Sequence, residues 1–275
     1  MKQKSINTQA KSLNKAIAVI KSFTPQELEL GSAEVARKVG ISRSTAHRIL
    51  KALAAAGLLE QDSGTRKYTI GSILYFQGSL YLSTRDVLKT AEPVFKELNE
   101  MTGEGLNLSI FDNGYITVVM KILAESSYRL DLRIGSMSPA YSSSMGKTFL
   151  SELSEAEIDE LYPKDELKPI TKKTITSKAE LKAQLKQVRE SGVAFTREEG
   201  TEGIEGVASL IRDSSGKAVA AMSFHLPAFR MNEVIRKRFA GLIKMGAELV
   251  SYRLGYRDSS VHDIKEIRSW WERNN

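Results

Sequence analysis

Residues 40–53 read GISRSTAHRILKAL, and this stretch indicates how the N-terminal part of the chain folds. On a helix with 3.6 residues per turn, four of its apolar residues fall on one side. These residues are Ala46, Ile49, Leu50 and Leu53. A shorter amphipathic helix is predicted after Ser32, and Gly40 allows a tight turn between the two helices. Two helices joined in this way are typical of a helix-turn-helix.

The remaining side of the longer helix is polar and basic. Arg43, His47 and Lys51 repeat every four residues. Arginine and lysine can reach phosphates or guanine edges in a major groove, and serine and threonine can hydrogen-bond to either. A solvated surface helix is the alternative explanation of this pattern. We predict that the DNA-facing residues are Arg43, Ser44, Thr45, His47, Arg48 and Lys51.

An extended pattern follows Gly57, which ends the helix. Residues 58–61 and 67–70 are two short strand candidates, and residues 62–66, DSGTR, have the composition of a turn. A basic loop between two strands, placed after a helix-turn-helix, is typical of a wing. We therefore expect Arg66 and Lys67 to contact the DNA backbone.

The distribution of charge supports a polyanionic partner for this part of the chain. The whole sequence has a formal net charge of +7, with 40 basic and 33 acidic residues. Residues 1–78 hold 12 basic and 5 acidic residues, so they carry the entire excess, while the remainder holds 28 of each. One domain that binds nucleic acid and one that does not would give this asymmetry.

Several kinds of site and location are not expected from the composition. The chain has no cysteine, which excludes disulfides and thiolate metal sites, and its three histidines lie in different predicted elements without ligand spacing. No catalytic constellation or cofactor motif is recognisable. Residues 146–148, GKT, end like a phosphate-binding loop, but Tyr141 occupies the position where that motif needs glycine. Without a long apolar run, neither a signal peptide nor a membrane span is expected, and we predict a cytoplasmic location.

Helical and extended patterns alternate in the rest of the chain. Residues 72–101 are predicted to be helical, with Leu80, Leu82, Val87, Ala91, Val94 and Leu98 only partly buried in their own chain and otherwise in a dimer contact. Hairpins are predicted around Asp112-Asn113-Gly114 and around residues 213–216, with a weaker strand at residues 130–134. Helices are predicted over residues 145–161, 178–191 and 232–254.

These elements predict an α+β protein with five segments. They are a flexible arm (1–11), a winged helix-turn-helix domain (12–78), a linker helix (79–102), a domain with a mainly antiparallel sheet (103–256) and a polar tail (257–275). The tail, which contains Trp270 and Trp271, is predicted either to add an intermolecular contact or to be disordered.

Several motifs in this order resemble the IclR family of bacterial regulators. In the N-terminal part they are residues 12–16, 40–53, 57–58 and 68–71. Further along they are residues 141–147 (YSSSMGK), 189–195 (RESGVAF), Glu198-Glu199, 203–208 and 220–227, so that the resemblance covers about residues 12–255. It implies a GAF-like effector-binding domain, dimers that pair into tetramers, and regulation by small metabolites, often organic acids.

The resemblance also implies an effector pocket. It would be bounded by Ser144, Met145, Thr196, Gly206, Ser223 and His225. Gly206 stands where the family places a cysteine, which implies room for a bulkier ligand. Thr196 replaces an aspartate and His225 a serine, and His225 is expected to donate to an anion or to carry charge at mildly acid pH. Without the resemblance, Ser223 and His225 would be read as ordinary strand residues on one face.

Taken together, these observations predict a ligand-responsive transcription factor, repressor or activator. Its expected partners are double-stranded operator DNA and a small organic anion, with an aromatic acid among the candidates. We expect a homodimer or tetramer, in which the effector changes the spacing of the DNA-binding domains. Two alternatives remain: a metabolic enzyme with an appended basic domain, and an architectural DNA-binding protein that needs no ligand.

Overall fold

In the computed structural model the chain forms two units, Met1–Arg85 and Asp86–Asn275. The structure describes residues 2–24, 26–83, 86–125 and 132–274. Among these residues, no helix combines the length and the apolar character needed to cross a lipid bilayer.

The first unit is a winged helix-turn-helix, as the sequence predicts. Its elements are α1 (Lys2–Lys21), α2 (Ser32–Val39), α3 (Arg43–Ala55), β1 (Leu59–Gln61), β2 (Tyr68–Ile70) and α4 (Ser72–Ser83). Gly40 ends α2 in the left-handed conformation, with φ 68°, which glycine adopts without steric cost. Helix α1 begins at Lys2, ahead of the start predicted at Ser12.

A single hydrophobic cluster holds this unit together. Leu50 and Tyr68 are almost fully buried, and they connect α3 to the β1–β2 hairpin. Leu30 joins the same cluster and exchanges two backbone hydrogen bonds with Tyr68, of 3.0 and 2.9 Å, so that a third extended segment flanks the β1–β2 hairpin.

The second unit is built on one six-stranded antiparallel sheet. Its helices are α5 (Asp86–Thr102), α6 (Ser144–Leu150), α7 (Glu155–Leu161), α8 (Lys178–Ser191), α9 (Glu233–Arg253) and α10 (Ile264–Asn274). Its strands are β3 (Leu106–Asp112), β4 (Tyr115–Ile122), β5 (Met137–Pro139), β6 (Ala194–Arg197), β7 (Ile204–Arg212) and β8 (Ala218–Pro227), in the spatial order β5-β4-β3-β8-β7-β6. The predicted α+β class and both predicted hairpins are confirmed.

Each face of the sheet carries its own hydrophobic core. Helices α5, α9 and α10 cover one face, where Met222 and Phe224 of β8 are buried. Helices α6, α7 and α8 cover the other face, where Ala221 of the same strand is buried. Because successive strand residues point to opposite faces, Asn107, Ser223 and His225 lie on the α6 face.

Two predicted elements differ in the structure. The helix predicted over residues 145–161 is two helices, because Ser154 begins α7 with a capping box: its Oγ accepts from Glu157 N, and Glu157 Oε2 accepts from Ser154 N at 2.8 Å. The weak strand predicted at residues 130–134 is also wrong. Residues 130 and 131 lie outside the described part, residues 132–134 belong to no strand, and β5 pairs with β4 instead.

All described residues between 72 and 101 are helical, as predicted: α4 and α5 contain them, and residues 84 and 85 lie outside the described part. Val87, Ala91, Val94 and Leu98 are at most 3% exposed, because α5 packs against the sheet and α9 of its own unit. The prediction that a dimer contact covers part of them is therefore wrong. The side chains of Leu80 and Leu82 lie outside the described residues.

The tail predicted to be disordered or intermolecular forms helix α10 and packs on its own unit. Ile267 and Trp271 enter the core beside α9, and Trp271 contacts Phe239 edge to face at 5.9 Å between ring centroids. Trp270 lies over Gly241, where a Cβ atom would come within 2.5 Å of the indole ring. Apolar burial on α9 therefore orders this segment.

Candidate DNA-binding surface and effector pocket

Helix α3 presents its basic residues on one exposed side. Ser42 begins the helix, its Oγ accepting from Thr45 N at 3.2 Å. Ala46, Leu50 and Leu53 are buried, which holds the opposite side outward. The exposed residues on that side are Arg43, Ser44, His47, Arg48 and Lys51.

Thr45 differs from the other five predicted DNA-facing residues. It is half-buried, and its Oγ1 lies 2.8 Å from Ser42 Oγ, within the cap of the helix. Ser44 Oγ lies 3.1 Å from the same atom but remains exposed. The structure therefore places Thr45 in the helix cap and the other five on the exposed face.

The basic side chains of α3 and of the wing are not paired with acidic side chains in the described part of the chain. Within the described part of the chain, none of Arg43, Arg48, Lys51, Arg66 and Lys67 forms an ion pair. Their charges are therefore available to phosphates.

The wing is a short loop ordered by one carboxylate. Asp62 Oδ1 accepts from Gly64 N at 3.0 Å, from Thr65 N at 2.6 Å and from Thr65 Oγ1 at 2.9 Å. These hydrogen bonds from Thr65 and Gly64 lower the pKa of the Asp62 carboxyl. Arg66 follows in a left-handed conformation, with φ 60°, and is exposed, while Lys67 is half-buried.

A small cavity on the α6 face of the sheet contains four of the six predicted effector residues. Its volume is about 50 Å³. The predicted residues that line it are Ser144, Met145, Thr196 and His225. Residues that were not predicted also line it, among them Ser142, Ser143, Gly200 and Thr201. Helix α6 begins at Ser144, as the prediction of a helix start before Gly146 requires.

Gly206 and Ser223 lie behind the wall of the cavity. A Cβ atom on Gly206 would come within 2.7 Å of Ser144 Oγ and 2.8 Å of Thr196 Oγ1. Those two hydroxyl groups occupy the space that the glycine leaves, so the expectation that Gly206 makes room for a bulkier ligand is wrong. Ser223 is fully buried and its Oγ lies 3.3 Å from His225 Nδ1.

His225 is held on its Nδ1 side by a residue that the sequence analysis missed. Asn107 Nδ2 lies 2.9 Å from His225 Nδ1. Burial lowers the pKa of His225 to about 4, so the expected charge at mildly acid pH is wrong. A polar Asn107 between the apolar Leu106 and Leu108 of a strand was the available signal, but its partner lies 118 residues away.

The Gly146-Lys147 pair has a packing role. A Cβ atom at residue 146 would lie 2.2 Å from Ala140 O, so only glycine fits there. Lys147 is 1% exposed, and its Nζ donates to Glu199 Oε2 at 2.5 Å, to Gln184 Oε1 at 2.8 Å and to Phe195 O at 3.4 Å. Burial lowers the pKa of the Lys147 ammonium, against the influence of Glu199. All three donors of Lys147 are thus used inside the protein.

Two family models match the chain. "IclR helix-turn-helix domain" matches residues 12–63, and "Bacterial transcriptional regulator IclR C-terminal" matches residues 79–252. The chain belongs to the IclR family. It is thus a DNA-binding transcriptional regulator with a helix-turn-helix and an effector-binding domain.

IclR-family proteins resemble this chain over most of its length. The transcriptional regulator KdgR of Escherichia coli is 30% identical over 233 residues, which cover 85% of this chain and 89% of that protein. The crystal structure of Thermotoga maritima IclR has a TM-score of 0.64 and 28% identity, covering 91% of this chain and 100% of that one. An IclR homologue from Microbacterium hydrocarbonoxydans, crystallised with 4-hydroxybenzoate, shares the fold, with a TM-score of 0.74 and 20% identity over 88% of this chain and 98% of that one. The curated relatives are regulators, which favours a regulator over an enzyme with an appended basic domain.

The buried Lys147–Glu199 pair generates a prediction about stability. Lys147→Met leaves the Glu199 carboxylate buried without its counter-charge and should lower the free energy of unfolding by about 3–5 kcal/mol. Adding Glu199→Gln should restore much of the loss, which a double-mutant cycle by urea denaturation measures. The matched control is Lys173→Met, since Lys173 is 60% exposed in its pair with Glu198; its cost should stay below about 1 kcal/mol. Strictly additive losses in the cycle would contradict the coupling.

Proposed function

We propose that this regulator binds a two-fold symmetric operator through α3 and the wing, and releases or rearranges on the operator when a small organic acid enters the cavity beside α6. The observation that carries the DNA-binding half is the exposed, unpaired basic face of α3, in the unit that holds the whole excess of positive charge. Such a face fits a major groove, with the wing on the adjacent backbone. Because chromosomal DNA is the partner, we place the protein in the cytoplasm.

The proposed roles of Arg48 and Lys67 differ, and so should the effects of losing them. Arg48→Ala removes a base-reading side chain and should cost about 1–3 kcal/mol on specific DNA only. Lys67→Ala removes a phosphate contact, should weaken all sequences alike, and should lower the slope of log K against log salt by about 1. Fluorescence anisotropy with a duplex selected by the wild-type protein, and with an unrelated duplex, measures both effects. Equal losses on both duplexes for Arg48→Ala would remove it from base recognition.

A symmetric operator requires a symmetric reader, and α4 supports a dimer contact in the first unit. Three of its large apolar side chains are exposed: Ile73 at 41%, Tyr75 at 79% and Phe76 at 58%. This exposed apolar surface fits a second copy of α4, because an isologous contact buries the same residues of both copies. A second contact, between the second units of two dimers, would then form the tetramer.

Phe76 allows a direct test of the dimer. Phe76→Arg places a charge in the proposed contact and should reduce the mass of the assembly, measured by multi-angle light scattering at micromolar concentration. Gln77→Arg is the matched control, since Gln77 is the next residue of α4 and is also exposed, and it should leave the mass unchanged. An unchanged mass for Phe76→Arg would exclude this surface from the assembly.

The effector proposal rests on donors that meet in one cavity. His225 and Ser144 both line it. Ser144 is 1% exposed, and its Oγ is a buried side-chain atom without a hydrogen-bond partner in the described part of the chain. Hydroxyl and imidazole donors suit the oxygen atoms of a carboxylate. A cavity of about 50 Å³ corresponds to a few water molecules, which favours an aliphatic acid of a few carbon atoms.

The loss of His225 should separate effector binding from DNA binding. His225→Ala removes a hydrogen bond to the acid and should weaken effector binding about ten-fold, while DNA affinity without effector stays close to wild type. Calorimetry with pyruvate, lactate and acetoacetate as probes measures the first quantity, and anisotropy measures the second. A full effector response in His225→Ala would contradict the assignment of the effector site to this cavity.

A further inference from the structure

The ring of His225 lies between two polar side chains on neighbouring strands. Asn107 of β3 is 5% exposed and pairs in register with Ser223 of β8, two residues before His225. The three side chains share the α6 face of the sheet. Asn107 Nδ2 lies 2.9 Å from His225 Nδ1, and Ser223 Oγ lies 3.3 Å from the same nitrogen.

These contacts determine which nitrogen carries the proton. The amide nitrogen of asparagine only donates hydrogen bonds, so His225 Nδ1 must accept. The hydroxyl of Ser223 is also able to donate to it. A neutral imidazole whose Nδ1 accepts carries its proton on Nε2.

No charge on the surrounding elements favours protonation of the ring. Among the described residues, the lining of the cavity contains no carboxylate and no ammonium or guanidinium group. Five acids stand nearby along the chain. Glu198 and Glu199, just before Gly200, pair with Lys173 and Lys147, and Glu202 is exposed. Glu205, next to Gly206 of β7, forms two hydrogen bonds of 2.9 Å with Arg236, and Glu104, before β3, pairs with Arg230. Burial alone lowers the pKa of His225 to about 4.

We propose that Asn107 is a positioning residue that fixes His225 as its neutral Nε2–H tautomer, so that the pocket binds its effector through uncharged donors. This inference rests on the proposed effector site. Nε2–H and the Ser144 hydroxyl then offer two donors to oxygen atoms of the ligand, without a cation in the lining. Such a site suits a small oxo or hydroxy acid with one negative charge, and it disfavours a dicarboxylate, whose second charge finds no partner.

The tautomer is directly measurable in the full-length protein. Long-range ¹H–¹⁵N spectra distinguish the two ring nitrogens, and the chain has only three histidines to resolve. His225 should show a protonated Nε2 and an unprotonated Nδ1, and it should not titrate between pH 8 and pH 5. A protonated Nδ1 in His225, or titration near the ordinary histidine pKa, would overturn the inference without any ligand or variant.

Asn107→Asp tests the positioning role. A carboxylate at this position accepts from Nδ1–H and favours the imidazolium, so the pKa of His225 should rise above its wild-type value. Binding of pyruvate should then tighten about ten-fold from pH 8 to pH 5.5, whereas the wild type stays level, because a charged donor forms the stronger hydrogen bond. Asn113→Asp, the same change in an exposed turn, is the control and should leave the His225 spectrum unchanged.

The possible failures are distinguishable. If the spectra show the Nε2–H tautomer and its change in Asn107→Asp, but no probe acid binds, the effector site is misassigned while the role of Asn107 stands. If the acids bind and His225→Ala weakens them, but Asn107→Asp leaves the His225 titration as in the wild type, Asn107 has no positioning role.

Discussion

The register of β8 between β3 and β7 determines what the second unit can bind. That register sets Ser223 opposite Asn107 on one side and His225 opposite Gly206 on the other. A shift of one residue would turn His225 toward the α9 face and replace it with apolar neighbours. The pairing irregularities, near Leu108 in β3 and near Ile211 in β7, leave the pairing of His225 with Gly206 regular.

The two units use their charges in opposite ways. In the second unit, several cations form ion pairs within the protein. Arg236 donates two hydrogen bonds to Glu205, and Arg212 donates two to Glu152, of 2.7 and 2.9 Å. Lys147 is buried against Glu199. In the first, the cations of α3 stay exposed and unpaired in the described part of the chain. Several cations of the second unit are thus paired internally, whereas the basic surface of α3 stays open to solvent.

The sequence predicts well those structural elements that are determined by residues close together in the chain. The period of apolar residues in α3, the left-handed Gly40 and the Asn113-Gly114 turn each act within a few positions, and the elements they predict are present. The misjudged features depend on distant partners. Asn107 meets His225 across 118 residues, and the space at Gly206 is taken by hydroxyls from α6 and β6, which no local pattern reveals. The helical structure of the tail likewise depends on a distant contact, because Trp271 packs against α9.

The packing of α10 also bears on the order in which the protein folds during its synthesis. The core of the first unit closes with residues up to Tyr68, whereas the core of the second includes Ile267 and Trp271. At about 5–20 residues per second, the ribosome needs about 10–40 s to add the intervening residues. During that interval the nascent chain holds a complete DNA-binding unit, while the second unit still lacks residues of its core.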